Sequence, residues 1–585
     1  MNFQYLKEIF FLIGSDKKKL PLMVMLFLFL SVLDLAGIGL IAPYVTLISN
    51  PDQFNETLLY EMYERLGFSV QIPDVILSMG FILFVVFLFK AGVAIFINFV
   101  LLKFCHRQSV VLRASLMRSY QGLDYIEFTE KNSSAYIHNI NLAEKFATGT
   151  LLALLRIVCD GTVVIAIIIF LALTDIVALI VLATLLLTLS FVYDIFFKPR
   201  VLGYGEVANS SSIQVLKSIQ ESMIGMKEIR ILGKENFFFE VMLKAAKKFA
   251  DVSVKTSMVN LTPRFLLELL IVIFVIFLVF SAIFMDESLS DLVPLLSTFG
   301  IASLKLAPAS TSIISGFSKM RFYRDAVGLV YKDVNSLREK IDSTKNKDES
   351  NTELFECIAL KNIEFCYPTI NEPAIRDVSI EINKSDVIGL VGPSGSGKTT
   401  LINIILALLQ PQKGEILYNG FPLNENSLNR WRSSVAYLPQ DIFLLDDTLE
   451  RNIALGIFDD EIDKVKISKA IDKARLGDLV DSLPIGVNTI IGERGIRVSG
   501  GQKQRISLAR AFYHEREVLI MDESTSALDT RTENEIVEEI NRLRGKKTII
   551  VIAHRKTTLK HCNAIYRLEK GILSRKLTYE EIAFE

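Results

Sequence analysis

The chain has few of the residues that build disulfide or metal frameworks. Its 585 residues include five cysteines, five histidines and one tryptophan, and the cysteines are far apart. That spacing fits neither a disulfide framework nor a zinc site, so we expect reduced thiols. An excess charge of one sign is also lacking, because 64 Lys and Arg balance 65 Asp and Glu. This balance argues against a nucleic-acid partner.

Apolar residues are abundant, and their long runs all lie before residue 325. They make up 51% of the chain, and the mean hydropathy is +0.38. A membrane-crossing helix needs about 20 of them in succession. Six runs are candidates: 20–48, 75–104, 151–173, 176–197, 265–285 and, the weakest, 292–318. We therefore predict a six-helix transmembrane domain with cytoplasmic extensions over residues 1–325.

The distribution of Lys and Arg predicts the orientation of this domain. Segments 103–145 and 198–248 are rich in both, whereas 49–74 contains only Arg65 and 285–291 contains neither. Basic residues accumulate on the cytoplasmic side of membrane proteins. The N-terminus, these two basic segments and the C-terminal half are therefore predicted to be cytoplasmic.

The C-terminal half has a different pattern. A linker is predicted over 326–351, with the polar run STKNKDESN at its end. From residue 352 to 585, short β-rich runs alternate with helical stretches. That alternation predicts an α/β domain with a mainly parallel sheet.

A phosphate-binding motif lies between a predicted strand and a predicted helix. It matches G-x4-G-K-[ST], in which backbone N–H groups and a helix N-terminus surround phosphate groups. The residues assigned to ATP are Gly392, Pro393, Ser394, Gly395, Ser396, Gly397, Lys398, Thr399 and Thr400. In such sites the lysine contacts the β- and γ-phosphates, and the hydroxyl that follows it binds Mg²⁺. These roles fall to Lys398 and Thr399.

A second motif is an apolar strand that ends in two acids, Asp522 and Glu523. Behind a phosphate loop, such a pair points to metal binding and to activation of water. We expect Asp522 to bind Mg²⁺ and Glu523 to act as the catalytic base.

Between these motifs the run Val498–Gln502 resembles the signature of ATP-binding cassette (ABC) ATPases, with Val where Leu is more usual. The other family motifs occur in family order. The resemblance assigns Tyr367 to adenine stacking, Gln440 to Mg²⁺ and catalysis, and His554 to the catalytic switch. Further ATP contacts are assigned to Ser499, Gly500, Gly501, Gln502 and Asp529.

The resemblance covers nearly the whole chain and is to ABC exporters. It implies ATP and Mg²⁺ as cofactors and a head-to-tail dimer in which each ATP lies between two copies. Because this chain has one cassette and six predicted spans, a homodimer is expected, with a heterodimer as the alternative. The family also implies short coupling helices, expected near Tyr125–Asn132 and Asn209–Gln214.

The substrate is predicted from charges within the spans, which are costly in a bilayer and usually functional. Lys90, Arg264 and Lys305 are such residues and are candidates for binding an anionic head group. The alternative is local pairing, since Arg264 and Glu268 are four residues apart. In the loop 50–67, Leu58, Leu59 and Met62 contribute to an apolar stripe that predicts a short external helix, or else a plain amphipathic cap.

These features together resemble the bacterial flippases for lipid-linked oligosaccharides, which implies the bacterial inner membrane and a polyprenyl-pyrophosphate glycan as substrate. Export of lipid A, hydrophobic drugs or peptides is the alternative. A cassette-gated channel or regulator is a third possibility. The intact Glu523 and His554 argue against a channel.

Overall fold

The computed structural model describes residues 3–49, 72–284, 289–343, 354–368, 370, 372–492, 498–522, 538, 541–552, 559–574 and 576–583. The chain divides into two compact units. The first comprises Met1–Leu123 and Glu127–Asp342, and the second Asp124–Ile126 and Ser343–Glu585.

The described part of the first unit consists of helices and the short turns between them. Its α-helices are α1 (Phe3–Ile13), α2 (Leu20–Ser49), α3 (Ile72–Gln121), α4 (Tyr125–Glu130), α5 (Ser133–Glu144), α6 (Leu152–Thr174), α7 (Ile176–Ile224), α8 (Met226–Ile231), α9 (Glu235–Phe284), α10 (Leu289–Phe322) and α11 (Arg324–Ser343). A 3₁₀ turn joins α1 to α2, and a π turn at Lys145–Leu151 joins α5 to α6. Helix α11 covers much of the predicted linker 326–351.

Five stretches of the described residues are long and apolar enough to cross a membrane. They are Phe3–Ile41, Pro73–Gln121, Ser133–Thr174, Ile176–Ile224 and Glu235–Phe280. Only 11 to 29% of their most apolar windows is buried within the protein, as expected for helices that face lipid. The sixth predicted span lies in α10, which is outside this set, so a count of six stays a prediction.

Of the four apolar clusters between the described helices of the first unit, two contain most of the buried residues. Phe27, Leu116 and Phe146 are fully buried in one cluster, which joins α2, α3 and the π turn. Phe274 and Phe299 are packed in the second, with ring centroids 5.6 Å apart, where α9 meets α10. Dispersion contacts of this kind are the main source of helix association in lipid.

One of the two short cytoplasmic helices lies where it was expected. Helix α4 occupies most of Tyr125–Asn132, and the Asn132 side chain caps the next helix by accepting from Ser134 N. The expectation near Asn209–Gln214 is wrong, because α7 continues through this segment. The Asn209 amide donates to Asp325 at 2.8 Å and contacts His138, so it serves helix packing. The short helix that follows α7 is α8.

The second unit combines two sheets with helices. Its strands are β1 (Cys357–Phe365), β2 (Ile375–Asn383), β3 (Val387–Val391), β4 (Lys413–Tyr418), β5 (Phe421–Pro422), β6 (Val435–Leu438), β7 (Val518–Asp522), β8 (Thr548–Ile552), β9 (Ala564–Glu569) and β10 (Ile572–Leu573). Its described helices are α12 (Lys398–Ile405), α13 (Glu425–Ser434), α14 (Leu449–Ile453), α15 (Lys464–Lys473), α16 (Gly477–Ser482), α17 (Gly500–Tyr513) and α18 (Tyr579–Ala583).

The larger sheet has the strand order β10-β9-β3-β8-β7-β6. The ladders from β9 to β6 are parallel, whereas β10 pairs with β9 in antiparallel fashion. The smaller sheet, β2-β1-β4-β5, is antiparallel. The predicted α/β domain with a mainly parallel sheet is therefore present.

The chain's one tryptophan secures the helix that follows the phosphate loop. Trp431 is fully buried on α13, and its indole N–H donates to Ile405 O at the end of α12 over 2.7 Å. Its ring packs against Phe355 at a centroid distance of 5.4 Å. A buried indole needs such an acceptor, so this bond fixes α13 against α12.

The five cysteines are free thiols, as expected. Cys562 lies beside the strand that leads to the phosphate loop, where a Cβ on Gly389 would meet its sulfur at 3.3 Å. Burial raises the pKa of Cys562 to about 12. It therefore remains a protonated, unreactive thiol at neutral pH.

Two glycines of α7 test how closely helices pack in the first unit. A Cβ on Gly205 would lie 2.1 Å from Phe322 O, whereas a Cβ on Gly203 would meet nothing within 4 Å. Gly205→Ala should destabilise the protein by about 1–3 kcal/mol through overpacking. Gly203→Ala, the matched control, should stabilise α7 by about 0.5–1 kcal/mol. Thermal unfolding of the detergent-solubilised chain measures both, and equal effects would contradict the close contact.

Candidate functional site

The phosphate loop connects β3 to α12 at the centre of the larger sheet. Gly392 and Gly397 have φ angles of 154° and 104°. A Cβ at Gly392 would lie 2.2 Å from Leu568 O, and one at Gly397 would lie 2.7 Å from Ala374 O. Both positions therefore need glycine, which allows the loop to turn tightly in front of the helix N-terminus.

The interior of this loop presents hydrogen-bond donors. The Lys398 ammonium donates to Gly392 O at 2.7 Å and to Pro393 O at 3.0 Å, so it curls over the loop backbone. The buried Ser396 hydroxyl has no hydrogen-bond partner among the described residues. A cation, an unused hydroxyl and a helix N-terminus together fit nucleotide phosphates.

The predicted adenine-stacking residue lies next to the same loop. The Tyr367 hydroxyl is 3.2 Å from Thr400 Oγ1 in the first turn of α12. Its ring meets Phe365 edge-on at a centroid distance of 5.0 Å. Thr399, the predicted Mg²⁺ ligand, is exposed in the same turn. The structure thus brings Tyr367 to the loop predicted to bind the phosphates.

Asp522, the predicted metal ligand, is buried at the end of β7. The Tyr437 hydroxyl on the neighbouring strand β6 donates to Asp522 Oδ2 at 3.1 Å. Burial and this carboxylate raise the pKa of Tyr437, so the phenol remains protonated and continues to donate. The bond restrains the orientation of the carboxylate.

The parallel sheet brings the described candidate residues of the ATP site to one edge. Strands β3, β8, β7 and β6 are successive neighbours and run in the same direction. The phosphate loop follows β3, Asp522 ends β7, and the exposed Gln440 comes two residues after β6. The carboxyl ends of such strands are the usual place for ligand binding. Glu523, Asp529 and His554 lie outside the described residues.

The signature segment begins a 14-residue helix, α17. Ser499 caps it, since its hydroxyl accepts from Gln502 N while the Gln502 side chain accepts from Ser499 N at 2.7 Å. Ser499 and Gly500 are exposed, and Gly501 is buried. The exposed cap presents a helix N-terminus that would attract a phosphate.

In the first unit, two of the three predicted substrate cations meet at one carboxylate. Lys90 of α3 forms an ion pair with Asp34 Oδ1 of α2, and the Lys305 ammonium of α10 lies 3.3 Å from the same oxygen. Arg264 is elsewhere, in an exposed pair with Glu268 at 3.1 Å. This is the local pairing considered as its alternative. Leu58, Leu59 and Met62 lie outside the described residues.

Comparison with known proteins places these features in a family. Residues 375–526 match the family model described as ABC transporter. The chain is 28% identical over 545 residues to a Photorhabdus laumondii protein named ATP-dependent lipid A-core flippase, covering 91% of each chain. A Cupriavidus pinatubonensis protein of the same name is 38% identical over 226 residues, which is 38% of each chain. The chain is an ABC exporter half-transporter.

A solved structure shares the fold of the half-transporter. It is described as a bacterial Atm1-family ABC exporter with ATP bound. The match has a TM-score of 0.75 at 20% identity and covers 98% of this chain and 96% of the other. This match shows the fold, a helical membrane region and a nucleotide-binding domain. The ABC transporter model, the flippase relatives and the long apolar helices make the half-transporter an ATP-hydrolysing, multi-pass membrane protein.

The sequence pattern alone left two contacts of the half-transporter unassigned. Tyr437 was not a candidate, although it lies three residues before Gln440 and its strand pairs with β7. Asp34 is likewise not among the predicted substrate residues, although it is the charged residue of the first predicted span, 20–48. The signal available for Asp34 was the balance of charges within the spans, since buried cations require partners.

Removal of the phenol hydroxyl tests the Tyr437–Asp522 bond. Tyr437→Phe should raise the Mg²⁺ concentration for half-maximal ATPase activity a few-fold, because a buried carboxylate without its donor is less well oriented. The control is Tyr566→Phe on β9, three strands from β7. Initial ATPase rates over a Mg²⁺ titration measure the change. An identical Mg²⁺ dependence in wild type and Tyr437→Phe would contradict the role.

Proposed function

We propose that the half-transporter is an ATP-driven flippase that moves a phosphate-bearing lipid of the lipid A class from one leaflet to the other. The observation that carries this proposal is the extent of the similarity to proteins named lipid A-core flippases, which covers 91% of both chains. It therefore includes the membrane unit, where an exporter meets its substrate, as well as the ATPase. An ATPase domain alone gives no indication of the cargo.

The charges within the membrane unit support an anionic lipid. Lys90 and Lys305 converge on one carboxylate, so this cluster carries more positive than negative groups. Basic side chains within membrane-spanning helices are retained mainly where they bind charged groups. A lipid phosphate is an anion that can enter the membrane region together with the acyl chains of its lipid.

A polyprenyl-pyrophosphate oligosaccharide, favoured by the sequence pattern, is the second candidate. The same two lysines favour it to a lesser degree, because lysine is a point charge and lacks the bidentate geometry of arginine. Arg264, the arginine in that pattern, is paired with Glu268 away from the lysines. The convergence of two lysines around one carboxylate leaves a surplus of one positive charge, which suits an isolated phosphate group better than the adjacent charges of a pyrophosphate.

The ATP chemistry is assigned to the residues at the sheet edge. Lys398 would contact the β- and γ-phosphates, Tyr367 would stack on adenine, and Thr399, Asp522 and Gln440 would hold Mg²⁺. Bound Mg²⁺ would neutralise phosphate charge. Glu523 would accept a proton from the attacking water, and His554 would contact the γ-phosphate. Ser499–Gln502 and Asp529 of a second copy would complete each site, which requires a homodimer.

The orientation follows from the basic segments of the sequence. With the N-terminus and the nucleotide-binding domain on the cytoplasmic side of the bacterial inner membrane, ATP would reach the site directly. Transport would then proceed towards the outer leaflet, the direction of an exporter.

Substitution of the proposed base separates a pump from a passive channel. Glu523→Gln should reduce ATP turnover by about 10²–10⁴-fold and abolish flipping, because water loses its proton acceptor. ATP binding should persist, since Lys398 and the loop are unchanged. The control is Glu415→Gln, an exposed position on β4. Lipid movement by Glu523→Gln at the wild-type rate would rule out pumping.

Reconstitution in vesicles tests the cargo. Lipid A in phosphatidylcholine proteoliposomes should stimulate ATPase activity and move between leaflets when ATP is supplied, at least several-fold more than a polyprenyl-pyrophosphate glycan. Vesicles of phosphatidylcholine alone provide the baseline. Stimulation and flipping with the glycan but not with lipid A would replace the first candidate by the second.

A further inference from the structure

Three helices of the membrane unit each contribute one charged residue to a single cluster. Asp34 comes from α2, Lys90 from α3 and Lys305 from α10, and both ammonium groups face Asp34 Oδ1. The side chains of Asp34 and Lys90 are each 9% exposed, whereas that of Lys305 is 43% exposed. The Lys90 ammonium also lies 5.0 Å from the centre of the Phe87 ring. The cluster thus has a closed side at Lys90 and an open side at Lys305.

The charges of this cluster do not balance. Two ammonium groups and one carboxylate leave a surplus of one positive charge. Lys90 is enclosed by its ion pair and an aromatic ring, so the surplus is available at Lys305. Because an uncompensated charge is costly in a low-dielectric environment, this position favours an anion that supplies little more than one negative charge.

Helix packing does not by itself require Asp34. One turn before it, the Ser31 hydroxyl donates to Thr162 Oγ1 at 2.9 Å and ties α2 to α6. One turn after it, Gly37 lets the Phe87 ring approach, since a Cβ there would lie 3.2 Å from that ring. Contacts on both sides of Asp34 therefore already join α2 to its neighbours.

We infer that Asp34 is a specificity-determining residue that offsets one of the two lysine charges, so that the site prefers an isolated phosphate group on a lipid to a pyrophosphate. This inference rests on the proposed function and names the head-group charge that the site selects. A neutral residue at position 34 would leave two free cations and favour the more highly charged head group.

The test compares two lipids with identical tails, dioleoyl phosphatidic acid and dioleoylglycerol pyrophosphate, in phosphatidylcholine vesicles that contain the full-length protein. The measured quantity is the ratio of lipid concentrations that half-maximally stimulate ATPase activity. Wild type should respond to phosphatidic acid at the lower concentration. Asp34→Asn should shift the ratio about tenfold towards the pyrophosphate lipid, the size of effect that one close charge produces.

Two further variants separate charge from structure. Asp34→Asn combined with Lys90→Met replaces the buried pair by uncharged side chains and retains one surplus charge, so its ratio should return to that of wild type. Glu221→Gln removes a carboxylate from a half-exposed pair with Lys217 in the same unit and should leave the ratio unchanged.

A second pair of variants tests the inference even if Asp34→Asn alone does not fold. Lys90→Met keeps Asp34 paired with Lys305 and leaves no surplus charge. Adding Asp34→Asn to it restores one, so phosphatidic acid should then act at about tenfold lower concentration. Neither variant leaves Lys90 buried without its partner.

The outcomes distinguish this inference from the function on which it rests. If the lipids stimulate the protein but Asp34→Asn leaves the ratio unchanged, or the double variant does not restore it, the inference is wrong and the flippase proposal stands. If neither lipid, nor lipid A, changes ATPase activity or binds to wild type, the proposed function is wrong and the inference falls with it.

Discussion

The parallel pairing of β3, β8, β7 and β6 is the constraint on which the ATP site depends. Strands β3, β7 and β8 are fully or largely buried apolar runs, as parallel strands covered on both faces must be, and the edge strand β6 is half-buried. Because they run in one direction, the segments that follow them all emerge at one edge. The phosphate loop and Asp522 are more than 120 residues apart in sequence, and only this ladder brings them to the same edge.

A different constraint acts on the membrane unit, where the solvent cannot hydrate charges. Several charged residues of this unit are paired one to one, either between helices, as Glu8 is with Arg324 at 3.0 Å, or within one helix, as Arg264 is with Glu268. The cluster at Asp34 departs from this one-to-one pairing because two cations share one carboxylate oxygen. Since an imbalance of this kind is costly, an external anion that contributes to the balance, as proposed above, would stabilise the cluster.

The sequence predicted the parts of the structure that depend on local pattern. The strand Val387–Val391, the loop after it and the helix that begins at Lys398 follow from apolar runs and glycine spacing, and the structure contains all three. The short helix expected near Asn209–Gln214 was mispredicted, because the polar Asn209 bonds to two other helices, which a one-dimensional pattern does not show.

The sequence did not predict the Asp34 cluster or the Tyr437–Asp522 bond, because each joins residues from separate elements.

The two halves of the chain also differ in how much they reveal about function. ATP hydrolysis requires a fixed geometry of loop, metal ligand and base, so its motifs can be read directly from the sequence. Recognition of a lipid requires only complementary charge and an apolar surface, which many sequences provide. The 226-residue match to the Cupriavidus relative has 38% identity, whereas the 545-residue match to the Photorhabdus relative has 28%. This difference in identity is consistent with a less constrained membrane unit. On the proposed function, substrate choice would depend on the few costly polar groups within the membrane helices, among them Asp34, which directly changes their net charge.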